Sequence, residues 1–306
     1  MGESTRKPVI VLSLFVFLFF QGAQGRETGY SYTPGSESGP EKWGQLMTNW
    51  AACGTGRWQS PIDLQHERVE VVDGLGHLRR TYRPTPAVVK NRGHDIMVRW
   101  EADAGGLWIN GTEYRLQQLH WHVPSEHTVD GRRFALELHM VHQTADNATA
   151  VVGVLYTKGQ PDSFIAEMES HIRKVKDVEG AEVEVGLVNP WRVKWGSRKY
   201  YRYLGSLTAP PCTEGVKWTI IKKLRTVSRE QLRMLKGAVH NPHNLYPRTD
   251  TQLVSSSLLS NKAAINNNVA LPVPSACPST TSASTHHLNS ISTLCKERQS
   301  KAAPPF

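Results

Sequence analysis

The stretch from residue 116 to residue 142 contains the pattern that most restricts how this chain can fold. Its second half, residues 134–141, alternates apolar side chains with others that include Glu137 and His139. The apolar residues of that run are Phe134, Leu136, Leu138 and Met140. A period of two is typical of a β-strand with one face in the core. His120 and His122 lie in a setting rich in aromatic and aliphatic residues that suits a second strand, so the pattern predicts two neighbouring strands.

Three histidines on these runs have a spacing that suits one metal ion. His120 and His122 are two residues apart, so in a strand both imidazoles point to the same face. His139 joins them if the two strands pair in antiparallel orientation. Three neutral imidazoles with an open fourth position are typical of catalytic zinc, because a structural site uses four protein ligands. We therefore predict a Zn²⁺ site at these histidines.

Two polar residues are placed to orient the ligand imidazoles. Gln118 lies on the same predicted strand face as His120, and Glu137 lies on the same face as His139. Each can accept a hydrogen bond from its histidine and select the tautomer, as metal-binding histidines generally require. His127 falls in the connection between the strands and is interpreted as a loop residue.

The charge of the chain raises the question of anionic partners. The formal net charge is +9 and the pI is about 9.4, values that also occur in proteins that bind nucleic acid or anionic membranes. Lysine and arginine are dispersed, apart from clusters such as residues 192–202, and no nucleic-acid motif accompanies them. We expect a solvated basic surface and no nucleic-acid partner, with attraction to anionic cell-wall or membrane material as the minor alternative.

The first 25 residues have the organisation of a secretory signal. Arg6 and Lys7 form a positive start, residues 9–20 are apolar or small, and residues 23–25 offer a cleavage site. The apolar run is too short for a membrane-spanning helix, which disfavours the alternative of a retained anchor. We expect removal of residues 1–25 and no integral membrane span in the mature chain.

Several segments together resemble the alpha-class carbonic anhydrases, in particular secreted plant-type members. The segments are QLHWHVPSEHTVDGRRFALELHMVH around the histidines, WQSPIDL at 58–64, NRGHDI at 91–96, AVVGVLY at 150–156 and YLGSLTAPPCTEGVKW at 203–218. They occur in the family order between residues 30 and 246, which makes the resemblance more specific than any one motif. It implies a mainly β fold: a single domain built on a large twisted, mostly antiparallel β-sheet with a few peripheral helices.

The resemblance implies reversible hydration of carbon dioxide to bicarbonate and a proton. This family is the reference case for zinc lowering the pKa of bound water, so that hydroxide attacks the substrate. Thr208 and Glu126 match the threonine and glutamate that orient the hydroxide. His94 matches the proton-shuttle histidine, since imidazole titrates near neutral pH, and Tyr32 matches a tyrosine that orders the relay waters.

The substrate is apolar, so its pocket should be hydrophobic. The residues that match the pocket positions of the family are Val141, Val151, Leu207 and Trp218. Ala209 replaces a hydroxyl residue that is frequent beside the threonine, and Met97 stands where a polar pocket residue is often found. Both differences are expected to tune the pocket without abolishing the reaction.

Cysteines and glycosylation acceptors fit a secreted chain. Cys53 and Cys212 match positions that are joined by a disulfide in secreted members of the family, a bond that would fix the loop carrying Thr208. Asn110 and Asn147 begin Asn-x-Thr triplets and are candidate glycosylation sites. We expect the secretory pathway, with a final location outside the cell or in an organelle such as the chloroplast.

Composition divides the chain into a signal peptide (1–25), a catalytic domain (26–254) and a Ser-, Asn- and Pro-rich tail (255–306), which is expected to be flexible. Within the domain, apolar stripes predict helices at Ser163–Val175 and Ser228–Val239, the second opened by a Ser-x-x-Gln capping box. Asn244–Pro247 departs from the family pattern by Tyr246 in place of arginine, which predicts an altered end of the domain.

Other classes of protein remain as alternatives. A cupin shares the spacing His120, His122, Glu126, but the Pro-x-Gly and histidine segment that should follow is not recognisable. A non-catalytic zinc-binding or storage protein on the same fold would be expected to have lost a ligand or Thr208, and all are present. A zinc esterase is the third alternative, because the same hydroxide attacks activated carbonyl groups. The oligomeric state stays open.

Overall fold

Alternating apolar residues build most of this chain into strands. The computed structural model describes residues 29–72, 75–239 and 264–266, the last group by backbone alone. The signal peptide, Asn244–Pro247 and the tail apart from the backbone of residues 264–266 lie outside the described residues, and so do the predictions made for them. Cys277 and Cys295 also lie outside. The strands are β1 (Asp63–Leu64), β2 (Glu70–Val71), β3 (Arg79–Arg80), β4 (Thr85–Asn91), β5 (Ile96–Trp100), β6 (Gly106–Ile109), β7 (Thr112–His122), β8 (Thr128–Val129), β9 (Arg132–Arg133), β10 (Leu136–Gln143), β11 (Thr149–Lys158), β12 (Glu182–Val188), β13 (Tyr200–Ser206), β14 (Glu214–Val227) and β15 (Ala264–Asn266).

In the described part of the chain, twelve strands form one large sheet in the order β12-β4-β5-β7-β10-β11-β14-β13-β15-β2, with β3 paired to β6 and β6 paired to β7. Neighbouring strands are antiparallel except for β11 with β14 and β15 with β2. A small second sheet has the order β1-β8-β9. The mainly β, mostly antiparallel fold expected from the sequence is therefore confirmed.

Among the described residues, four short or medium α-helices accompany the sheet: α1 (Trp43–Leu46), α2 (Ala52–Thr55), α3 (Ser163–Val175) and α4 (Arg229–Gly237). The bounds of α3 are those predicted. Ser228 caps α4 by accepting a hydrogen bond from the backbone N–H of Gln231, while the Gln231 side chain accepts from the backbone of Ser228. The predicted capping box is thus confirmed, although α4 ends two residues before Val239. Within the described residues, no helix is long and apolar enough to span a membrane.

The two faces of β10 have different partners. Leu136, Leu138 and Met140 are fully buried in the same apolar cluster as the inward residues of α3. Each such side chain contributes about 2 kcal/mol by its removal from water. Glu137 and His139 face the opposite way, as the period of two requires. The core therefore holds β10 with its polar face directed to the candidate site.

Phe134 differs from the predicted pattern. Its backbone exchanges hydrogen bonds with Ser125: its N–H donates to Ser125 Oγ at 2.9 Å and its carbonyl accepts from Ser125 N at 3.0 Å. It precedes β10 and packs in a second apolar cluster with Leu64 and Trp218. The prediction that Phe134 shares a face with Leu136 is wrong, because the chain between β9 and β10 leaves the regular strand.

A disulfide ties the start of the domain to the loop after β13. Cys53 and Cys212 are bonded, with their Cα atoms 5.0 Å apart. Cys212 is completely buried and its N–H donates to the carbonyl of Ala209. The predicted pairing is confirmed, and it fixes the loop that contains Thr208.

Candidate metal centre

Three imidazoles meet where β7 and β10 lie side by side. The antiparallel register places His139 opposite His120 and Glu137 opposite His122. All three histidines are buried, and their ligand nitrogens lie within 4.8 Å of one another. The ring centroids are 4.5 to 5.2 Å apart. The structure thus brings together the three histidines that were predicted from spacing.

Hydrogen bonds orient two of these rings. His120 Nδ1 lies 2.9 Å from Gln118 Oε1, which leaves Nε2 for a metal. His139 Nε2 lies 2.8 Å from Glu137 Oε1, which leaves Nδ1. Because carboxylate and amide oxygens accept, each imidazole donates to its partner and presents a lone pair on the other nitrogen.

The electrostatics of the two rings differ. Burial lowers the pKa of His120 well below its usual value, so this ring is neutral, the form that binds a metal. Burial also lowers the pKa of His139, but the neighbouring Glu137 carboxylate outweighs it and raises the pKa overall. Neutral imidazole nitrogens converging on one point fit zinc, which favours nitrogen ligands and tetrahedral geometry.

A second group of possible ligands, His127, Glu137 and His139, is better explained as a hydrogen-bond network. Glu137 Oε1 accepts from His127 Nδ1 at 2.7 Å as well as from His139. Its Oε2 accepts the backbone N–H groups of Glu126 and His127 at 2.9 and 2.8 Å. Burial raises the pKa of Glu137, but the two imidazoles hold it well below its usual value. The carboxylate is saturated with donors and has no need of a metal.

The sequence did not indicate that His127 is a buried member of a hydrogen-bond network. It lies in the loop between β7 and β8, as predicted, but it is completely buried. Since its Nδ1 donates to Glu137, its Nε2 accepts from Tyr203 Oη at 2.6 Å, and Ser60 Oγ lies 2.9 Å from that hydroxyl. Local sequence gives no signal for this network, because its members come from segments 60, 127, 137 and 203, which only the fold brings together.

A cavity of about 360 Å³ opens beside the three histidines. Its lining includes the ligand partner Gln118 and the predicted residues His94 and Thr208. The other lining residues are Tyr30, Tyr32, Arg92, Asp95, Val141, Gln143, Val151, Leu207, Ala209, Pro210 and Trp218. All four residues predicted for the apolar pocket are among them, and these four belong to or pack against the second apolar cluster. Met97 pairs with His120 across β5 and β7 but is not part of the lining.

Glu126 and Thr208 take different places at the site. Glu126 is buried, with Oε2 3.5 Å from His122 Nε2 and 3.8 Å from His139 Nδ1. Thr208 is nearly buried and lines the cavity on the loop fixed by the disulfide. A carboxylate next to metal-ligand nitrogens adds negative charge where a cation would bind.

His94 lies in the turn between β4 and β5, with only 7% of its surface exposed. Its Nε2 is 3.3 Å from Tyr30 Oη and 3.5 Å from Asp95 Oδ2. Asp95 pairs with Arg92, and although burial raises the pKa of Asp95, this guanidinium lowers it overall. The sequence singled out Tyr32, which lines the cavity, but it missed the contact of Tyr30 with His94, because the two tyrosines lie only two residues apart.

The candidate glycosylation residues lie away from this centre. Asn110 and Asn147 are both exposed and adopt positive φ angles of 49° and 65° in turns. Asparagine tolerates this left-handed conformation better than most residues. Both side chains are accessible to modification, which stays a prediction.

Comparison with known proteins defines the class. The family model for eukaryotic-type carbonic anhydrases matches residues 38–255. Alpha carbonic anhydrase 7 of Arabidopsis thaliana is 54% identical over 218 residues, which cover 71% of this chain and 79% of the relative. Dioscorin DB3L of Dioscorea polystachya is 44% identical over 241 residues, or 78% of this chain and 89% of the relative. The chain belongs to the eukaryotic-type carbonic anhydrase family, which confirms the resemblance found in the sequence.

Solved structures agree with this assignment. The alpha carbonic anhydrase of Thermovibrio ammonificans in complex with sulfanilamide has a TM-score of 0.67 and 30% identity, with 77% of this chain and 98% of that chain covered. A dioscorin complexed with ascorbate has a TM-score of 0.71 and 39% identity, with 78% and 98% covered. The relatives therefore include both named carbonic anhydrases and dioscorins. The choice between a catalytic and a non-catalytic role depends on the residues of the site.

Proposed function

We propose that this protein is a zinc-dependent carbonic anhydrase that interconverts carbon dioxide with bicarbonate and a proton. The observation that carries the proposal is the group of three buried imidazoles at one cavity with Thr208 and His94. Membership of the carbonic anhydrase family supports it. A zinc ion bound there would supply Lewis acidity that lets water lose a proton near neutral pH.

In this proposal His120, His122 and His139 hold the metal. Gln118 and Glu137 keep a proton on the far nitrogen of His120 and His139, so that both rings stay aimed at the metal. Such outer partners typically change metal affinity by about 10- to 100-fold when removed. The buried carboxylate of Glu126 and the hydroxyl of Thr208 would orient a water molecule beside the metal for attack on the substrate.

The apolar part of the cavity accepts carbon dioxide. The lining on that side presents apolar groups to the cavity, so water there gains no hydrogen bonds from it. These groups belong to Val141, Val151, Leu207 and the ring of Trp218. Trp218 is fixed because its Nε1–H donates to the carbonyl of Ser206 at 2.9 Å. A rigid apolar wall lowers the hydration of the space where the substrate has to approach.

His94 carries the product proton out of the cavity. Its imidazole is held beside Tyr30 and Asp95, with Nε2 3.3 Å from Tyr30 Oη and 3.5 Å from Asp95 Oδ2. Arg92 in turn keeps Asp95 ionised. A histidine in this setting is suited to accept a proton from cavity water and release it to buffer.

A non-catalytic binding or storage role is the second candidate, and the dioscorin relatives favour it. One dioscorin structure is named as a complex with ascorbate, so a small-molecule ligand other than carbon dioxide is a relevant comparison. The complete set of ligand histidines with Glu126 and Thr208 supports the enzyme instead. Hydrolysis of activated esters is proposed as a side reaction of the same centre.

Stopped-flow hydration of carbon dioxide, with zinc measured on the same sample before and after chelation, tests the proposal. We expect activity that follows zinc at one ion per chain and returns when zinc is restored. Bound zinc without hydration activity would favour the binding or storage role. Ester hydrolysis without hydration would favour the esterase.

We also propose that the chain enters the secretory pathway. The disulfide between Cys53 and Cys212 is consistent with an oxidising compartment, and relatives are plant alpha carbonic anhydrases. The expected signal at residues 1–25 and the exposed Asn110 and Asn147 support the same route. A mass shift on treatment of the purified plant-expressed protein with an endoglycosidase, absent in the Asn110→Gln and Asn147→Gln double variant, tests it.

A further inference from the structure

A second cavity, of about 310 Å³, is lined by residues from two segments of the chain, 77–80 and 195–198. Its lining shares no residue with the cavity beside the histidines. The lining residues are His77, Leu78, Arg80, Trp195, Ser197 and Arg198. Among the described residues, two guanidinium groups and no carboxylate contribute to this lining, so the described part of the lining is positively charged.

Arg80 is the unusual member of this lining. Its Cζ lies 3.9 Å from the ring centroid of Trp195 and 4.3 Å from that of Trp191, so the guanidinium is stacked on indole rings. Among the residues that the structure describes, none accepts a hydrogen bond or an ion pair from it, whereas Arg83 and Arg92 each pair with an aspartate. Burial lowers the pKa of Arg80. A half-buried cation without a counter-charge is stabilised by a bound anion.

The walls of this cavity are held in place by hydrogen bonds directed away from it. In the lining, Trp195 Nε1–H donates to Met140 Sδ at 3.4 Å. Outside the lining, the second ring stacked on Arg80 is also fixed, because Trp191 Nε1–H donates to the carbonyl of Tyr82 at 2.8 Å. Tyr200 Oη donates to the backbone carbonyls of residues 75 and 76, at 2.8 and 3.1 Å, and so fixes the segment before His77 against β13. The rings are therefore positioned before any ligand arrives, which reduces the entropy cost of binding.

We propose that this cavity binds a compact oxyanion of the phosphate class, either inorganic phosphate or the phosphate group of a small monoester. Arg80 and Arg198 supply planar donor groups that match phosphate oxygens. Ser197 Oγ already accepts the backbone N–H of Lys199 at 2.9 Å, so its own O–H is directed to another acceptor. His77, exposed at the opening, adds a further donor.

Calorimetric titration of the purified protein with inorganic phosphate, at constant ionic strength set with chloride, tests this site. We expect saturable binding at one site, and a loss of about tenfold or more in affinity in Arg80→Gln, as for one charged hydrogen-bonding partner. Arg79→Gln is the matched control. Arg79 is adjacent on β3, but its guanidinium lies over Trp108 at 5.1 Å, outside the cavity. The phosphate affinity of the Arg79→Gln variant should therefore stay within about twofold of that of the parent protein.

The same titration with glycerol phosphate distinguishes the two sources of the anion. Tighter binding of the monoester assigns an organic phosphate, and equal binding assigns free phosphate. Absence of saturable binding by either probe would overturn the proposal, and so would an equal loss in the two arginine variants, which would indicate diffuse surface charge. If circular dichroism shows that Arg80→Gln does not fold, Arg198→Gln repeats the test, because Arg198 is exposed and lies on the opposite wall. Zinc content and hydration activity should be unchanged in all three variants.

Discussion

Histidine has three different roles around the proposed metal centre, and the hydrogen-bond partners of each imidazole decide its role. His120 is bonded through Nδ1 and His139 through Nε2, so they present opposite nitrogens to the shared point. His127 is bonded through both nitrogens and has no lone pair to offer. His94, near the opening, is bonded to Tyr30 and paired with Asp95.

Replacing His139 by alanine should remove zinc and activity together. The substitution deletes one of three ligands and removes the imidazole that donates to Glu137. We expect zinc affinity to fall by more than about 100-fold, which exceeds the usual effect of removing a residue that only hydrogen-bonds a ligand. Zinc content by mass spectrometry and stopped-flow hydration measure both effects. His66→Ala, at an exposed histidine, should leave both unchanged. Hydration activity in a zinc-free His139→Ala protein would contradict the ligand assignment.

Replacing His94 by alanine should slow turnover in weak buffer by about 10- to 100-fold, the contribution of a positioned proton-transfer group. Zinc content should not change, because His94 is not a ligand. Added imidazole should restore part of the rate, since it carries protons in place of the side chain. A turnover with the same buffer dependence as the parent would argue against the shuttle.

At the scale of elements, the alternation of side chains along β10 separates the candidate site from the core. The register between β7 and β10 shifts between Val141 and His142. Val141 lines the cavity, whereas His142 is completely buried in contact with Tyr82, whose Oη donates to His142 Nε2 at 2.7 Å. His142 Nδ1 donates to the carbonyl of Ala150 at 3.3 Å. The neutral ring is thus fully satisfied, and a proton on Nε2 would break the bond from Tyr82.

Burial lowers the pKa of His142 from 6.5 to about 4. The unfolded chain therefore binds this proton first as pH falls, so the stability contribution is complete above about pH 6.5 and is lost between about pH 6.5 and 4. The full loss is about 3 kcal/mol. His142→Gln should flatten the dependence of the free energy of unfolding on pH in this window, measured by urea titration. His77→Gln, at an exposed histidine, should keep the slope of the parent, and an equally steep slope in His142→Gln would contradict the assignment.

The capping of α4 should contribute measurably to stability. Ser228 caps the helix, and the side chain of Gln231 also bonds both backbone groups of Asp162, the residue that caps α3. Ser228→Ala should therefore lower the free energy of unfolding by about 1 kcal/mol. Ser163→Ala, at an exposed first helical residue that is not a cap, should change it by less than about 0.5 kcal/mol. Urea unfolding compares the two, and equal effects would contradict a capping role.

At the scale of the whole molecule, the disulfide connects parts of the chain that are far apart in sequence. Cys53 and Cys212 are separated by 159 positions, and the bond lies between the segment with Tyr30 and the loop with Thr208. Tyr30, Tyr32, Trp43 and Cys212 form one small apolar cluster. The amino-terminal segment and the loop are therefore fixed together at one side of the cavity.

Removing this bond in a Cys53→Ala and Cys212→Ala double variant should lower the free energy of unfolding by up to about 5 kcal/mol, since a long loop is no longer closed in the unfolded chain. Hydration activity should also fall, because the Thr208 loop loses its anchor. Denaturant unfolding of the purified variant measures the stability. The Cys277→Ala and Cys295→Ala double variant keeps the bond and should match the parent, and equal loss in both would contradict this role for the bond.

The sequence alone determined the alternating pattern of β10, the bounds of α3, and the three histidines that the structure brings together. These follow from periodicity and spacing, since a strand places residues two apart on one face whatever surrounds it. The resemblance to the family added the mainly β fold, the cysteine pair, and part of the cavity lining: Tyr32, His94, Thr208, Ala209 and the four apolar pocket residues. Only the tertiary structure decided the departure of Phe134 from its strand face, the contact of Tyr30 with His94, and the network of His127, Glu137 and Tyr203. Those depend on pairing register, on an irregular turn and on contacts between distant segments, which no local pattern encodes.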